Sequence, residues 1–257
     1  MQTGKVILIG AGPGDPELIT LKAIRWLEKA DIVLTDRLVN PEIIRQHAPD
    51  AICIPVGKEA YSGKSTPQTD INELLVKYAS QGYLVVRLKG GDATIFSNIK
   101  EELETLSAHG IPFEIIPGIS AAQGVAASIS LPLTARGYAQ GIRFLTFHKT
   151  SLLSDENLSD LGATTDTLIY YMAGQTCSQL ANLLMAAGKP GSTPILLAEQ
   201  ATLPGERYRI STLATCGEDW LATDIKSPAL LMIGPALALF DTFKNIPKQN
   251  ICLQKHN

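Results

Sequence analysis

Residues 4–31 read GKVILIGAGPGDPELITLKAIRWLEKAD. Val6, Ile7, Leu8 and Ile9 form an apolar run without alternation, the pattern of a central strand buried on both faces of an α/β sheet. Gly10, Gly12 and Gly14 follow and permit backbone geometries and close approaches that a Cβ would obstruct. No Gly-Lys-Ser/Thr comes after them, which excludes a Walker loop, and G-x-G-x-G-D departs from the G-x-G-x-x-G of a dinucleotide fingerprint. Asp15 and Pro16 can supply a helix N-cap and first helical position, with Thr20 as a rival cap. Leu21, Ile24 and Leu27, with Ala23 and Ala30, then give an apolar helical face. Strand, glycine loop and helix together point to a ligand site at a strand end. Taken alone they suggest a mononucleotide or nucleoside, with a tight structural turn as the plain alternative.

Outward from this unit, strand-like runs recur at 32–34, 51–54, 84–88 and 113–116, separated by segments long enough for crossovers, so the first half is expected to be α/β. A polar stretch at 59–69, containing Tyr61, Gly63 and Lys64, reads as a flap or a surface loop ahead of a helix at 68–80. Residues 117–141, PGISAAQGVAASISLPLTARGYAQG, are rich in small side chains and mark the expected junction. Beyond it, strands are expected at 142–146, 167–171, 194–198, 208–212 and 229–233, with a helix at 177–187 stopped by Gly-Lys-Pro-Gly. Uneven strand spacing there favours two α/β domains, 1–135 and 136–240, over one barrel. A polar tail covers 241–257, with Ile246 and Leu253 as docking contacts.

Composition removes several function classes. Across 257 residues the formal net charge is -3 and 18% of residues are charged, which gives no global attraction to nucleic acid. Cys53, Cys177, Cys216 and Cys252 show no CxxC spacing and read as thiols in a reducing compartment. His47, His109, His148 and His256 are scattered, so no metal site is expected. No apolar run of about 18 residues and no secretory start is present, and a cytoplasmic protein without integral membrane association is expected. There is no convincing Cys-His or Ser-His-acid constellation for covalent catalysis.

The ordered series VILIGAGPGDPELITLKA, DRLV, VGK, PQTDIN, VVRLKGGDATIF, PGISAA, PLTAR, TLIYYMAG, GKPGSTPILLAEQAT and SPALLMIG runs from residue 6 to about residue 234. In this it resembles the tetrapyrrole methylases, nearest to the uroporphyrinogen-III C-methyltransferases. The resemblance implies two unlike α/β domains holding S-adenosylmethionine in the cleft between them, usually as a homodimer. It also implies that the first glycine loop shapes the tetrapyrrole side, which replaces the nucleotide reading of that loop.

By the same resemblance the cofactor would meet Pro13, Gly90, Gly91, Asp92, Ile95, Ser120 and Ala121 from the first half. From the second half it would meet Tyr171, Met172, Ala173, Pro228, Ala229 and Leu230. Asp92 is suited to accept from the cofactor ammonium, a helix cap or turn being its plain alternative. A substrate with many carboxylates calls for donors around an apolar macrocycle site. Arg37, Lys58, Lys64, Lys89 and Arg136 are the candidates for that rim, joined by Gln68 and Asn72 beside the flap. Asp36 either orients Arg37 or acts in proton transfer, with a simple salt bridge as the alternative. The implied reaction is methylation of uroporphyrinogen III to precorrin-2.

The departures lie on the substrate side. Where the family commonly reads GGDPFIFGRGGEE, this chain reads GGDATIFSNIKEE. Asn98 stands in place of an arginine, and Ser97, Ile99 and Lys100 in place of glycines. Lys100 cannot reproduce the planar donor fork of arginine. Glu101 keeps the matching acidic position and is expected to be catalytic, with a helix-surface carboxylate as the alternative. PLTAR carries Ala135 where the family has histidine and keeps Arg136. These changes leave open a different tetrapyrrole substrate, or a catalytically impaired cofactor-binding or scaffold protein.

Overall fold

The computed structural model describes residues 3–57, 66–147, 155–220 and 224–243. The first sheet contains β1 (Lys5–Gly10), β2 (Ile32–Thr35), β3 (Ile52–Pro55), β4 (Leu84–Lys89) and β5 (Phe113–Ile116). Its spatial order is β3-β2-β4-β1-β5 and every pairing is parallel. The expected strands are all present; β1, β2 and β4 are covered on both faces, whereas the edge strand β3 is largely exposed and β5 is partly so. Ile7, Ile9, Val33 and Val86 pack against α1 (Leu21–Leu27) and α2 (Pro41–His47). Val6, Leu8, Leu34 and Val85 pack the other way, against α3 (Gln68–Ser80) and α4 (Ile99–Ala108).

The rival caps of the first unit each serve a helix of their own. Asp15 accepts the Glu17 N–H at 2.9 Å and caps a 3-10 turn at Pro16–Leu18. Thr20 accepts the Ala23 N–H at 3.3 Å and caps α1. Thr20→Ala is therefore expected to lower stability by about 0.5–2 kcal/mol, read from the urea unfolding midpoint. Leu21, expected on the apolar face, is instead 74% exposed, because at the first helical position it points away from the sheet while Ala23 and Leu27 bury.

The second sheet contains β6 (Ile142–Thr146), β7 (Thr167–Tyr171), β8 (Pro194–Glu199), β9 (Arg207–Thr212) and β10 (Ala229–Ile233), in the order β6-β7-β10-β8-β9. Only β6 and β7 run parallel; the remaining pairs are antiparallel. One face is covered by α6 (Asp155–Ala163) and α7 (Cys177–Ala186), through Leu161, Leu180 and Leu184. The other face receives α5 (Ala121–Ser128), whose Ala122 and Val125 pack with Ile169, Leu196 and Met232. The chain thus forms two unlike α/β units, and α5, which follows a strand of the first sheet, seals the second.

Cys53 is exposed and Cys177 and Cys216 are buried free thiols. Cys252, His148, His256, Lys58, Lys64 and the proposed docking residues Ile246 and Leu253 lie outside the described residues, as does most of the 59–69 flap. Among the described residues no helix is long and apolar enough to cross a membrane, and no cluster of three His, Cys, Asp or Glu could hold a metal ion.

Candidate active site

The loops leaving β1 and β4 touch each other at the carboxyl ends of their parallel strands, the edge where open α/β sheets bind ligands. Gly12 donates its N–H to Gly91 O at 3.1 Å, and Gly91 returns its own to Gly12 O at 2.7 Å. The loop after β5 fits against both: a Cβ on Gly118 would lie 2.3 Å from Gly91 O. Glycine is required here by backbone packed on backbone.

Asp92 fastens this assembly. It is buried, and its Oδ1 accepts both the backbone N–H of Thr94, at 2.7 Å, and the Thr94 hydroxyl, while Oδ2 accepts the Gly118 N–H at 2.9 Å. Asp92→Ala leaves those donors without an acceptor, and a loss of about 1.5–3 kcal/mol is expected by urea unfolding. Ser120 precedes α5 and donates its N–H to Gln123 Oε1 at 3.0 Å. Its hydroxyl lies 2.5 Å from the Tyr171 hydroxyl, which joins the first unit to the end of β7. Burial raises the Tyr171 pKa above its ordinary value, partly opposed by that Ser120 contact. The Phe96 ring packs on Tyr171 at 5.1 Å between centroids.

Between these loops and the second sheet lies a cavity of about 650 Å3. Pro13, Gly90, Gly91, Asp92, Ile95, Ser120 and Ala121 line one side, and Tyr171, Met172, Pro228, Ala229 and Leu230 the other. Ala173 alone of the expected cofactor contacts is absent. The chain turns at Met172, with φ at +59°, and Ala173 enters the fully buried core on the α7 side of the second sheet.

The expected substrate and catalytic residues divide. Arg37 is exposed and lines the cavity. Asp36 sits behind it, accepting from Arg87 Nη2 at 2.6 Å. Glu101 is exposed on the first turn of α4 and does not reach the cavity. Its neighbour Glu102 is fully buried and takes Lys89 Nζ at 2.8 Å and Arg87 Nε at 3.1 Å. Gln68 donates to Glu102 at 3.3 Å and to Asn72 at 3.0 Å, so its amide faces this ion cluster. Lys89, read as a rim donor, is only 2% exposed and belongs to the cluster as well. Burial, reinforced by Arg87, lowers its pKa against the pull of Glu102. Asn98 is exposed at φ +54° before α4, and Arg136 is exposed in the turn closed by Ala135 and Ala139; neither lines the cavity. Lys100 is paired along its own helix with Glu104 at 2.6 Å.

Other lining residues escaped the motif reading. Leu38 and Val39 stand in DRLV beside Arg37, and Ala201 and Leu203 come from the turn after β8. That turn is tied to the first glycine loop, since Asp15 donates its N–H to Thr202 Oγ1 at 2.9 Å. The partial signal for this contact was the AEQAT motif, whose polar and small residues give no packing direction.

Two unlike α/β sheets converging on one apolar cavity with a polar end define a two-unit binding fold at the strand ends. The model of the Tetrapyrrole (Corrin/Porphyrin) Methylases matches residues 5–216, and the chain belongs to that family. It is 45% identical over 238 residues to Siroheme synthase 3 of Aeromonas hydrophila, which covers 93% of this chain and 50% of that protein. The chain therefore spans about half the length of the curated relatives it matches. Its fold superimposes on the uroporphyrin-III C-methyltransferase of Thermus thermophilus complexed with S-adenyl homocysteine, with a TM-score of 0.77 and 35% identity, covering 92% of this chain and all of that one. A cobalt precorrin-4 methyltransferase, described as a cobalamin biosynthetic enzyme, matches with a TM-score of 0.81 and 27% identity, covering 91% and 95%.

Proposed function

We propose that the protein transfers methyl groups from S-adenosylmethionine to carbon atoms of uroporphyrinogen III, giving precorrin-2. The observation that carries this reading is the cavity itself, built jointly by the Gly12–Gly91 loops, the start of α5 and the ends of β7 and β10. The residues suit the cofactor. A Cβ on Gly91 would meet only Ala121 N, at 3.9 Å, so the loop leaves open space beside Asp92 and Ser120 for a charged amino-acid group. Ile95, Met172, Pro228 and Leu230 supply apolar walls for the remainder. When bound, the cofactor supplies a methyl group already activated by its sulfonium. The chain's task is then to hold an electron-rich pyrrole carbon in line, keep water out and receive the proton that the carbon loses. Arg37 is placed to grip a substrate carboxylate at the cavity rim. Asp36, half-buried behind it and bonded to Arg87, is the carboxylate adjacent to Arg37 for orientation or proton transfer. Glu101, Asn98 and Arg136 would act only on parts of the substrate extending beyond the cavity.

A second reading, methylation of another tetrapyrrole, is favoured by Asn98 and Ala135 in place of the family's arginine and histidine. Rearranged carboxylate donors change which substrate is held productively. Anaerobic incubation with S-adenosylmethionine and a panel of porphyrinogen and corrinoid intermediates separates the two. Uroporphyrinogen III is expected to turn over fastest; exclusive turnover of a later intermediate selects the second reading, and cofactor binding without any turnover selects a binding or scaffold role. Asn98→Arg is expected to raise turnover severalfold if the missing guanidinium limits substrate positioning. A cytoplasmic homodimer, each chain divided into domains 1–135 and 136–240, belongs to the same proposal.

A further inference from the structure

Glu199, the last residue of β8, is fully buried, and a carboxylate in that position persists only when its charge is well paired. Its Oε1 accepts from Arg207 at 2.8 Å and from the backbone N–H of Lys226 at 2.6 Å, and its Oε2 accepts from Arg209 at 2.8 Å. The two arginines, on β9, are partly exposed and can be solvated without it. What a buried anion achieves here, beyond satisfying them, is the third contact, which reaches 27 positions along the chain. Lys226 leads directly into Ser227, Pro228, Ala229 and Leu230, all cavity-lining. The residue after Glu199 closes the grip, since Gln200 donates its N–H to Pro228 O at 2.9 Å. Glu199 and Gln200 therefore hold the backbone on both sides of Ser227, while Ala198, one residue earlier, lines the cavity directly.

We infer that Glu199 is a positioning residue: its carboxylate fixes the 226–230 wall of the cofactor cavity through the Lys226 N–H. The inference rests on the cofactor occupying that cavity. In Glu199→Gln the side chain loses the charge that makes these bonds strong, and its NH2 group is set among donors.

The test is calorimetric titration with S-adenosylhomocysteine, alongside the thermal midpoint and amide exchange of the peptide spanning residues 224–232. Glu199→Gln is expected to weaken binding roughly tenfold or more and to speed exchange in that peptide. Arg143→Gln removes the Arg143 pairs with Asp160 and Asp166 at the far edge of the same sheet. It is expected to lower the thermal midpoint and leave affinity unchanged. Ala121→Trp, which fills the cavity, should abolish binding. If Ala121→Trp abolishes binding while Glu199→Gln binds as the wild type does, the positioning role is overturned and the cavity assignment stands. If neither variant changes affinity, the cavity assignment falls and takes the inference with it. Should Glu199→Gln fail to fold, Arg207→Gln, at a partly exposed partner, decides: weaker binding supports the inference and unchanged binding overturns it.

Discussion

Glu102→Ala is expected to lower the free energy of unfolding by about 3–5 kcal/mol, whereas Glu101→Gln, one residue earlier, shifts it by less than about 0.5 kcal/mol. Glu102 is fully buried between Arg87 and Lys89, both 2% exposed, so its loss leaves two buried cations against Asp36, which already contacts Arg87. Glu101 faces water on the same helix. The pH dependence has a definite sign. Burial lowers the Lys89 pKa below its ordinary 10.5, and Glu102 is among the groups that pull it back up. A lysine whose pKa is depressed by folding adds stability as pH rises from that depressed value toward 10.5. Removing Glu102 widens that window, so the deficit of Glu102→Ala should shrink when urea unfolding is repeated at alkaline pH. Equal effects of the two glutamate variants, or a deficit that grows with pH, would contradict this account of the cluster.

Gly118→Ala is expected to cost about 1–3 kcal/mol or more and to remove most of the cofactor affinity. Its Cβ would lie 2.3 Å from Gly91 O and 2.7 Å from Gly10 C and O. These are backbone atoms of the cavity-lining Gly91 loop and of the end of β1, where the Gly12 loop begins, so relief requires moving the backbone that positions both loops. Separating them breaks the paired Gly12–Gly91 hydrogen bonds and draws the Gly118 N–H away from Asp92. Gly217→Ala is the matched control, since there a Cβ would meet only the Ser178 side chain, at 3.4 Å and beyond. Thermal unfolding and S-adenosylhomocysteine titration of both variants should show a large double loss at 118 and little change at 217.

The strands were legible because the runs at 6–9 and 229–233 are apolar on both faces, and the structure covers both faces with helices or loops. Most of the cavity lining was legible through the motifs, since glycines needed for backbone contact and residues at strand ends keep a recognisable order. Helix phase was the weaker point. Motif position singles out Glu101 alone, yet Glu102 lies four residues before the buried Leu106 and so shares its face toward the sheet. Arg87 and Lys89, two apart with Val85 in one strand, likewise point to a single face, a sign of a buried ion cluster that competes with the reading of Lys89 as a rim donor. Ala173 lies outside the cavity lining because the chain turns at Met172 with a positive φ that nothing in YYMAG advertises. The packing of α5 on the second sheet was hidden by its composition, AAQGVAAS, in which small residues fit either layer.

The most direct measurement is a mass analysis of uroporphyrinogen III incubated anaerobically with this protein and S-adenosylmethionine carrying a deuterated methyl group. The account predicts a product bearing first one and then two labelled methyl groups on carbon, with S-adenosylhomocysteine formed in equal number. Folded protein that binds S-adenosylhomocysteine yet transfers no label to uroporphyrinogen III would contradict it.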